Sequence, residues 1–275
     1  MILWFLFDND QSSSIKNRTL FTWEKLQNFP SVNYISLYES VDRQQYMENQ
    51  LNALGIKRSN AYISERFDKL SDIKITGPCI HEVTAQFGTI IAHLNIMRNW
   101  YNSCNEPYAI FCEDDVSFES VNYWNFTWNE FMENLPSDWE CVQLMRLVSP
   151  WHNDSEQYLK INLREGRWWG AHSLMRREYV KKILEKTCIG INEYHFEIWD
   201  NDILITPIIE NLLFMGVGKV YNIPLLIENL RFNTTFGNRL SDSAKNQERS
   251  HRTVLNKWNN TGNRLNIKDI MSLGK

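Results

Sequence analysis

The feature that most restricts the fold is an apolar run, residues 108–112, that ends directly in three acidic residues, Glu113-Asp114-Asp115. The length of the run and Pro107 before it predict a buried central β-strand. Mutual repulsion makes three adjacent carboxylates unfavourable unless a cation or solvent relieves it. The triplet is therefore either a solvated acidic turn or a site for a hard divalent cation such as Mn²⁺ or Mg²⁺. Taken alone, it is also compatible with a nuclease that has clustered carboxylates.

Short apolar runs alternate with helical patterns along the chain. Besides 108–112, strands are predicted at 2–7, 32–37, 140–147 and 168–175, helices at 20–29, 42–54, 84–101, 128–135, 177–185 and 200–213, and irregular segments at 60–77 and 149–165. This alternation predicts an α/β fold with an open, largely parallel sheet. Ligands of such sheets bind outside the carboxyl ends of the strands, which is where the acidic triplet falls.

Composition and charge limit the classes of partner. The 275 residues are 43% hydrophobic, enough for a sizeable core, and the net charge of −4 includes no basic excess that would favour a nucleic-acid partner. The five cysteines include no CxxC pair, which predicts neither a disulfide framework nor a zinc site. The apolar start, 1–7, is too short to span a bilayer and lacks the features of a signal peptide. A cytoplasmic protein without a transmembrane segment is expected.

Several short segments match the motifs of one enzyme family in order and spacing. The matches are Tyr34-Ile35-Ser36-Leu37 with Asp42-Arg43, Leu54-Gly55-Ile56, Phe87-Gly88 with Ala92-His93, Pro107 to Asp115, Trp139 to Leu144, and Gly170-Ala171-His172 with Ile183-Leu184. Over residues 32–235 the chain therefore resembles glycosyltransferase family 25, the lipopolysaccharide β-galactosyltransferase and procollagen galactosyltransferase type. It departs from that family's pattern at Ser36, Ala92 and Leu174.

The resemblance implies the fold, the cofactor and the reaction. The fold would be of GT-A type, a Rossmann-like open mixed sheet, mostly parallel and flanked by helices. The reaction would transfer a hexose, galactose or glucose, from a UDP-sugar to a hydroxyl of a glycan or protein acceptor, with inversion. Mn²⁺ or Mg²⁺ would bind a DXD-type motif, with Asp115 the first choice of ligand and Asp114 the second. Glu113 or Asp114 would contact the donor.

The catalytic base is sought among the acidic residues of Glu197-Ile198-Trp199-Asp200-Asn201-Asp202. A single inverting displacement requires one base for the acceptor hydroxyl. Asp200 is favoured over Asp202, with Glu197 behind both. The alternative is an N-cap aspartate with a surface partner. Trp199 either stacks on the acceptor sugar or fills core.

Five basic or imidazole side chains complete the candidate site. His93 either contacts a phosphate or is a hydrogen-bonded structural histidine, and Arg43 either meets the nucleotide or forms an exposed ion pair. His172 is expected to line the acceptor side. His251 is a candidate late metal ligand, and Arg252 a candidate partner of the diphosphate, unless both belong to a solvated basic tail.

The domain prediction is a single GT-A domain over 1–240, in which 1–30 add a strand and a helix, and a polar tail, 241–275, that can fold over the active site. Two other function classes stay open. A non-catalytic nucleotide- or sugar-binding protein with a transferase fold is compatible with Ser36 and Ala92. A carboxylate-metal nuclease is disfavoured by the lack of a basic stripe.

Overall fold

The structure is a computed structural model that describes residues 20–66, 73–77, 85–145, 162–163, 172–196, 218–229, 231–232, 252–253, 255–256 and 267–271. Its strands are β1 (Val32–Leu37), β2 (Ser59–Ser64), β3 (Lys74–Thr76), β4 (Tyr108–Glu113), β5 (Val116–Ser117), β6 (Cys141–Gln143), β7 (Asn162–Leu163), β8 (Ser173–Arg176), β9 (Glu193–His195), β10 (Val220–Asn222) and β11 (Ile227–Glu228). Its helices are α1 (Thr22–Lys25), α2 (Val41–Ala53), α3 (Ala85–Ser103), α4 (Trp128–Glu133), α5 (Arg177–Thr187) and α6 (Ile267–Met271), with a 3₁₀ helix at Glu119–Tyr123. None of the described helices is both long and apolar enough to cross a membrane.

Seven strands form one mixed sheet in the order β2-β1-β4-β8-β6-β10-β7. Strands β2, β1 and β4 are mutually parallel, β8 is antiparallel to both β4 and β6, β10 is parallel to β6, and β7 is antiparallel to β10. Most of the strands therefore point the same way, which confirms the predicted α/β class with a mostly parallel sheet and is compatible with a Rossmann-like fold. Two ribbons, β5 with β11 and β3 with β9, form separate small sheets.

The two faces of the sheet bury separate apolar cores. Alternate residues of a strand point to opposite faces, and in β4 Ile110 and Cys112 join the core under α2, whereas Ala109 and Phe111 join the core under α3 and α5. Because both faces of β4 are covered, its apolar run is continuous instead of alternating. The predicted central strand is thus confirmed.

Most predicted elements along the first two thirds of the sheet are confirmed with small shifts at their ends. Strand β1 and helices α2, α3, α4 and α5 form where the apolar periodicity placed them. Gly55, which was expected just past the second helix, has φ +70, the left-handed conformation that ends helices. The predicted helix at 20–29 is only the four-residue α1, and the chain turns at Asn28, which has φ 60.

The prediction of irregular structure at 60–77 is wrong in part, because this segment contains most of β2 and all of β3. Strand β2 is an edge strand with largely exposed side chains, and its backbone pairs with β1 from Val32↔Ser59 to Leu37↔Ser64. A strand that is held by backbone hydrogen bonds needs no regular pattern of buried apolar side chains, so the sequence gives little sign of β2. For the same reason β7 was missed within 149–165. Strand β6 is shorter than predicted; β8 begins at Ser173, and residues 168–171 of the predicted strand lie outside the described residues. The strand expected at 2–7 and the helix expected at 200–213 lie outside the described residues.

Candidate functional site

The acidic triplet lies at the carboxyl end of β4, beside the carboxyl end of β1. From β1 the sheet grows to β2 on one side and to β4 on the other, so the strand order changes direction at this point. The crevice at such a switch is where open α/β sheets bind ligands. The sequence prediction that the triplet occupies a ligand-binding edge therefore agrees with the topology.

Asp114 is held by the protein itself. Its Oδ2 accepts a hydrogen bond from the Ser36 hydroxyl at 2.5 Å, and its Oδ1 accepts one from Arg43 Nη1 at 2.6 Å. Asp114 is 5% exposed and Arg43 is 7% exposed, so this is a buried ion pair. Strand β1, helix α2 and strand β4 are thereby fixed to one another. The exposed ion pair considered for Arg43 is wrong, and both Asp114 oxygens are engaged, which weakens Asp114 as a metal ligand.

Asp115 is only partly neutralised. Its Oδ2 lies 3.4 Å from Arg43 Nη1, whereas its Oδ1 is buried and has no hydrogen-bond partner among the described residues. Burial, and then the charge of Glu113, raises the pKa of Asp115 to about 7, against the opposing effect of Arg43. An ionised Asp115 therefore has one carboxylate oxygen, Oδ1, that no described residue hydrogen-bonds and that can bind a ligand or a cation.

Glu113 points to the other face of the sheet. Its register partner on β1 is Ile35, a residue of the core under α3. Burial and the charge of Asp114 raise the pKa of Glu113 to about 7, with Arg43 acting in the opposite direction. About a quarter of its side chain, 26%, is exposed, so Glu113 borders both the core and the solvent-facing edge of the site.

A fourth carboxylate, Glu228, joins the triplet through the small sheet. Strand β11 pairs antiparallel with β5, which places Glu228 opposite Val116, and the Asn229 amide donates to the Asp115 carbonyl oxygen at 2.6 Å. Burial raises the pKa of Glu228 well above its usual range, and the charges of Asp115 and Glu113 raise it further. Among the described residues, Arg43 is the cation that opposes these shifts in Glu113, Asp115 and Glu228.

Sequence reasoning missed Glu228. A signal for it exists, because the largely apolar run 223–227 ends directly in this glutamate, as the run before the triplet ends in Glu113. What the sequence does not contain is the pairing of β11 with β5, which brings the two positions together. That pairing is a tertiary contact between segments far apart in the chain.

His93 lies on α3 behind the triplet. It is 1% exposed, and its Nε2 is 4.0 Å from Glu113 Oε1, while neither ring nitrogen has a hydrogen-bond partner among the described residues. Burial lowers the pKa of His93 to about 3, so the ring is neutral at physiological pH and the contact with Glu113 is not an ion pair. The described residues therefore supply no hydrogen bond of the kind that a structural histidine has, and both interpretations of His93 stay predictions.

The remaining candidates are not gathered at the triplet by any described contact. His172 is fully buried just before β8, and its carbonyl oxygen accepts from the Leu144 amide at 2.8 Å. Arg252 is exposed. The candidates for the base, the acceptor platform and the late metal ligand lie outside the described residues; they are Glu197, Trp199, Asp200, Asp202 and His251.

The oxygen-rich edge fits a hard divalent cation in its donor chemistry. Within the described ranges, no three His, Cys, Asp or Glu side chains are arranged to hold a metal ion together. Mg²⁺ is commonly bound through one or two carboxylates, with substrate phosphates and water completing its shell. The buried Oδ1 of Asp115 is a donor of this kind, so the side chains present fit a cation that a phosphorylated ligand helps to bind.

A comparison of the chain with protein-family models gives no match, and a comparison with curated proteins gives no match either. The resemblance drawn from short motifs therefore stays a prediction, and the function has to be argued from the site.

Proposed function

We propose that this chain is a metal-dependent, inverting glycosyltransferase that moves a hexose, galactose or glucose, from a UDP-sugar to a hydroxyl of a glycan or protein acceptor. The observation that carries the proposal is that Glu113, Asp115 and Glu228, whose pKa values are raised by burial and by neighbouring carboxylates, lie together at the switch point between β1 and β4. A cation would relieve the mutual repulsion of these carboxylates in their ionised form, and a hard cation in turn favours a diphosphate.

The sheet supports a GT-A type of fold as the finer assignment within this proposal. Its strands are mostly parallel, and the reversed strand β8 lies between β4 and β6, so the acidic edge borders both a parallel and an antiparallel neighbour. The motif matches from β1 to β8 follow the same order. A nucleotide-sugar at the carboxyl edge would lie over β1 and β4.

The carboxylates take different roles in this proposal. Asp115, with Glu228 beside it, would hold Mn²⁺ or Mg²⁺, which supplies charge neutralisation for the diphosphate leaving group. Asp114 would keep the motif in place through Ser36 and Arg43 and would not reach the metal. Glu113 would contact the donor at its ribose or hold a metal-bound water. Asp200 stays our first choice for the base that takes the proton of the acceptor hydroxyl, ahead of Asp202 and Glu197.

Thermal unfolding with UDP and Mn²⁺, added singly and together, tests the proposal. The expected result is stabilisation that requires both, because the cation and the diphosphate complete one another's coordination. Asp115→Asn and Glu228→Gln should lose this response. Asp138→Asn and Glu185→Gln are matched controls at more exposed carboxylates, whose side chains are 50% and 64% exposed, and both should keep it.

Three results would count against the proposal. No response to any nucleotide, with or without metal, would contradict both transfer and nucleotide binding. Stabilisation by UDP with Mn²⁺, but no metal-dependent hydrolysis of any UDP-sugar, would indicate a binding protein with a transferase fold. Metal-dependent cleavage of a nucleic acid, lost in Asp115→Asn, would indicate the nuclease.

A further inference from the structure

His93 is a buried polar group that the roles assigned above do not use. A neutral imidazole carries one N–H donor and one acceptor nitrogen. In His93 both nitrogens are buried, and neither is hydrogen-bonded within the described part of the chain. Buried polar groups in native proteins nearly always have partners, and an exception points to strain, a functional role or a missing water or ion.

The position of the ring points to Glu113 as the partner. Nε2 lies 4.0 Å from Glu113 Oε1, about one ångström beyond a hydrogen bond. Helix α3 is packed over the core that contains Phe87, Ile90 and Met97, so the imidazole is fixed by its surroundings. Glu113 ends β4 and its side chain is 26% exposed, so it is the member of the pair that has room to move.

We propose that His93 is a positioning residue, whose Nε2–H donates a hydrogen bond to Glu113 in the protein that has bound its cation and nucleotide. This inference rests on the proposed metal-dependent function. A small movement of the partly exposed Glu113 side chain would close the 4.0 Å gap, so that one carboxylate oxygen accepts from His93 while the other is held towards the bound ligand. The same bond selects the tautomer with the proton on Nε2.

The proposal predicts opposite effects on the metal-free and the metal-bound protein. Replacing His93 by an apolar residue of similar size removes an unsatisfied polar group, so the metal-free fold should be as stable as before or more stable. Removing a group that orients a metal-site carboxylate typically weakens metal affinity by 10- to 100-fold. A residue with only a structural role would lower stability and leave the affinity unchanged.

The test compares His93→Leu with His93→Gln and with a control on the same helix, Asn95→Leu. Asn95 is hydrogen-bonded on both sides, donating to the Tyr62 hydroxyl at 2.9 Å and accepting from the Tyr194 hydroxyl at 2.8 Å. The measurements on the full chain are thermal unfolding in EDTA and the Mn²⁺ dissociation constant at a fixed UDP concentration. The dissociation constant is obtained from the electron paramagnetic resonance signal of free Mn²⁺, compared with a protein-free sample that holds the same UDP.

In His93→Leu we expect an unchanged or higher Tm in EDTA and Mn²⁺ binding weakened by about tenfold. In His93→Gln, which keeps an N–H donor, the Mn²⁺ affinity should recover most of this loss. In Asn95→Leu the Tm should fall, because two tyrosine hydroxyls lose their partner, and the Mn²⁺ affinity should not change.

The outcomes separate this inference from the proposed function. If the wild-type chain does not bind Mn²⁺ in the presence of UDP, the proposed function itself fails. If the wild type binds Mn²⁺ and His93→Leu binds it equally well, only the inference fails. A His93→Leu chain that does not fold, or a His93→Gln chain that binds Mn²⁺ no better than His93→Leu, also overturns the positioning role.

Discussion

Removing the guanidinium of Arg43 should destabilise the fold far more than removing an arginine from an exposed ion pair. In Arg43→Met, Asp114 keeps only the Ser36 hydroxyl of its two charge-compensating contacts and stays buried. Removing one partner of a buried ion pair costs about 3–5 kcal/mol, because the other charge is left in a desolvated place. The side chains of Arg43 and Asp114 are 9% and 7% exposed, so solvent screens this pair little. We therefore expect a loss of about 3–5 kcal/mol in the free energy of unfolding.

Arg58→Met is the matched control. Arg58 pairs with Glu106, but the Arg58 side chain is 60% exposed, and exposed pairs contribute about 1 kcal/mol or less. Urea unfolding at pH 7 in EDTA gives both values. Since the two arginines lose the same atoms, the difference between the variants measures what burial of the pair adds.

A double-mutant cycle with Asp114→Asn makes the test specific to the pair. When Asp114 is already neutral, Arg43→Met should cost less by about 1–3 kcal/mol, the size of coupling measured between contacting charged residues. Equal losses for Arg43→Met and Arg58→Met would refute the reasoning. So would a cost of Arg43→Met that is the same with Asp114 and with Asn at position 114.

Three further predictions concern charge, backbone and active-site chemistry. The pKa values of Glu113 and Asp115 are raised to about 7, so the folded state holds more protons than the unfolded state above about pH 4. The free energy of unfolding in EDTA should therefore fall as the pH rises from about 4 through 7. Urea titrations at several pH values measure this slope, and the double variant Glu113→Gln/Asp115→Asn should flatten it. Gly77→Ala should lower the free energy of unfolding by about 2 kcal/mol or more, because Gly77 has φ +125 and an added Cβ would overlap the Phe196 carbonyl oxygen. Gly55→Ala should lower it by about 1 kcal/mol, because Gly55 has φ +70 but open space around the added Cβ. Equal losses for the two variants in urea unfolding would contradict this reasoning. Asp115→Asn should abolish sugar transfer in a UDP-sugar assay while its circular dichroism spectrum stays that of the wild type, and full activity would exclude Asp115 as the ligand.

The sequence predicts those helices and strands that are buried through regularly spaced or continuous apolar residues. Strand β4 is apolar on both faces and α3 carries a regular apolar stripe, so both were predicted. Strand β2 has largely exposed side chains, both polar and apolar, and is held by backbone pairing with β1, which residue types do not encode. At the site, the acidic triplet could be found from its place after a strand. Glu228 and the partner of Arg43 could not, because each depends on a contact between distant segments.

The alternating direction of side chains along β4 explains why the three acidic residues have different partners. Neighbouring residues at the end of a strand point to opposite faces, so Glu113 faces His93 of α3 while Asp114 faces Ser36 and Arg43 near α2. Asp115 follows the strand and lies 3.4 Å from the same Arg43 nitrogen as Asp114, so it shares the side of Asp114. The three carboxylates therefore do not converge on one point, in agreement with the lack of a three-group metal cluster among the described residues.

A cation at this edge must then take several ligands from the substrate, so Mn²⁺ and UDP should strengthen each other's binding. Thermodynamic linkage requires the same factor in both directions, and we expect a factor of about 5–150, the usual range of such coupling. Calorimetric titration of Mn²⁺ with and without UDP, and of UDP with and without Mn²⁺, measures it. If Mn²⁺ binds tightly and UDP does not change its affinity, the chain supplies a complete set of metal ligands by itself. The division of the triplet across the two faces of β4 would then be the wrong account of the site.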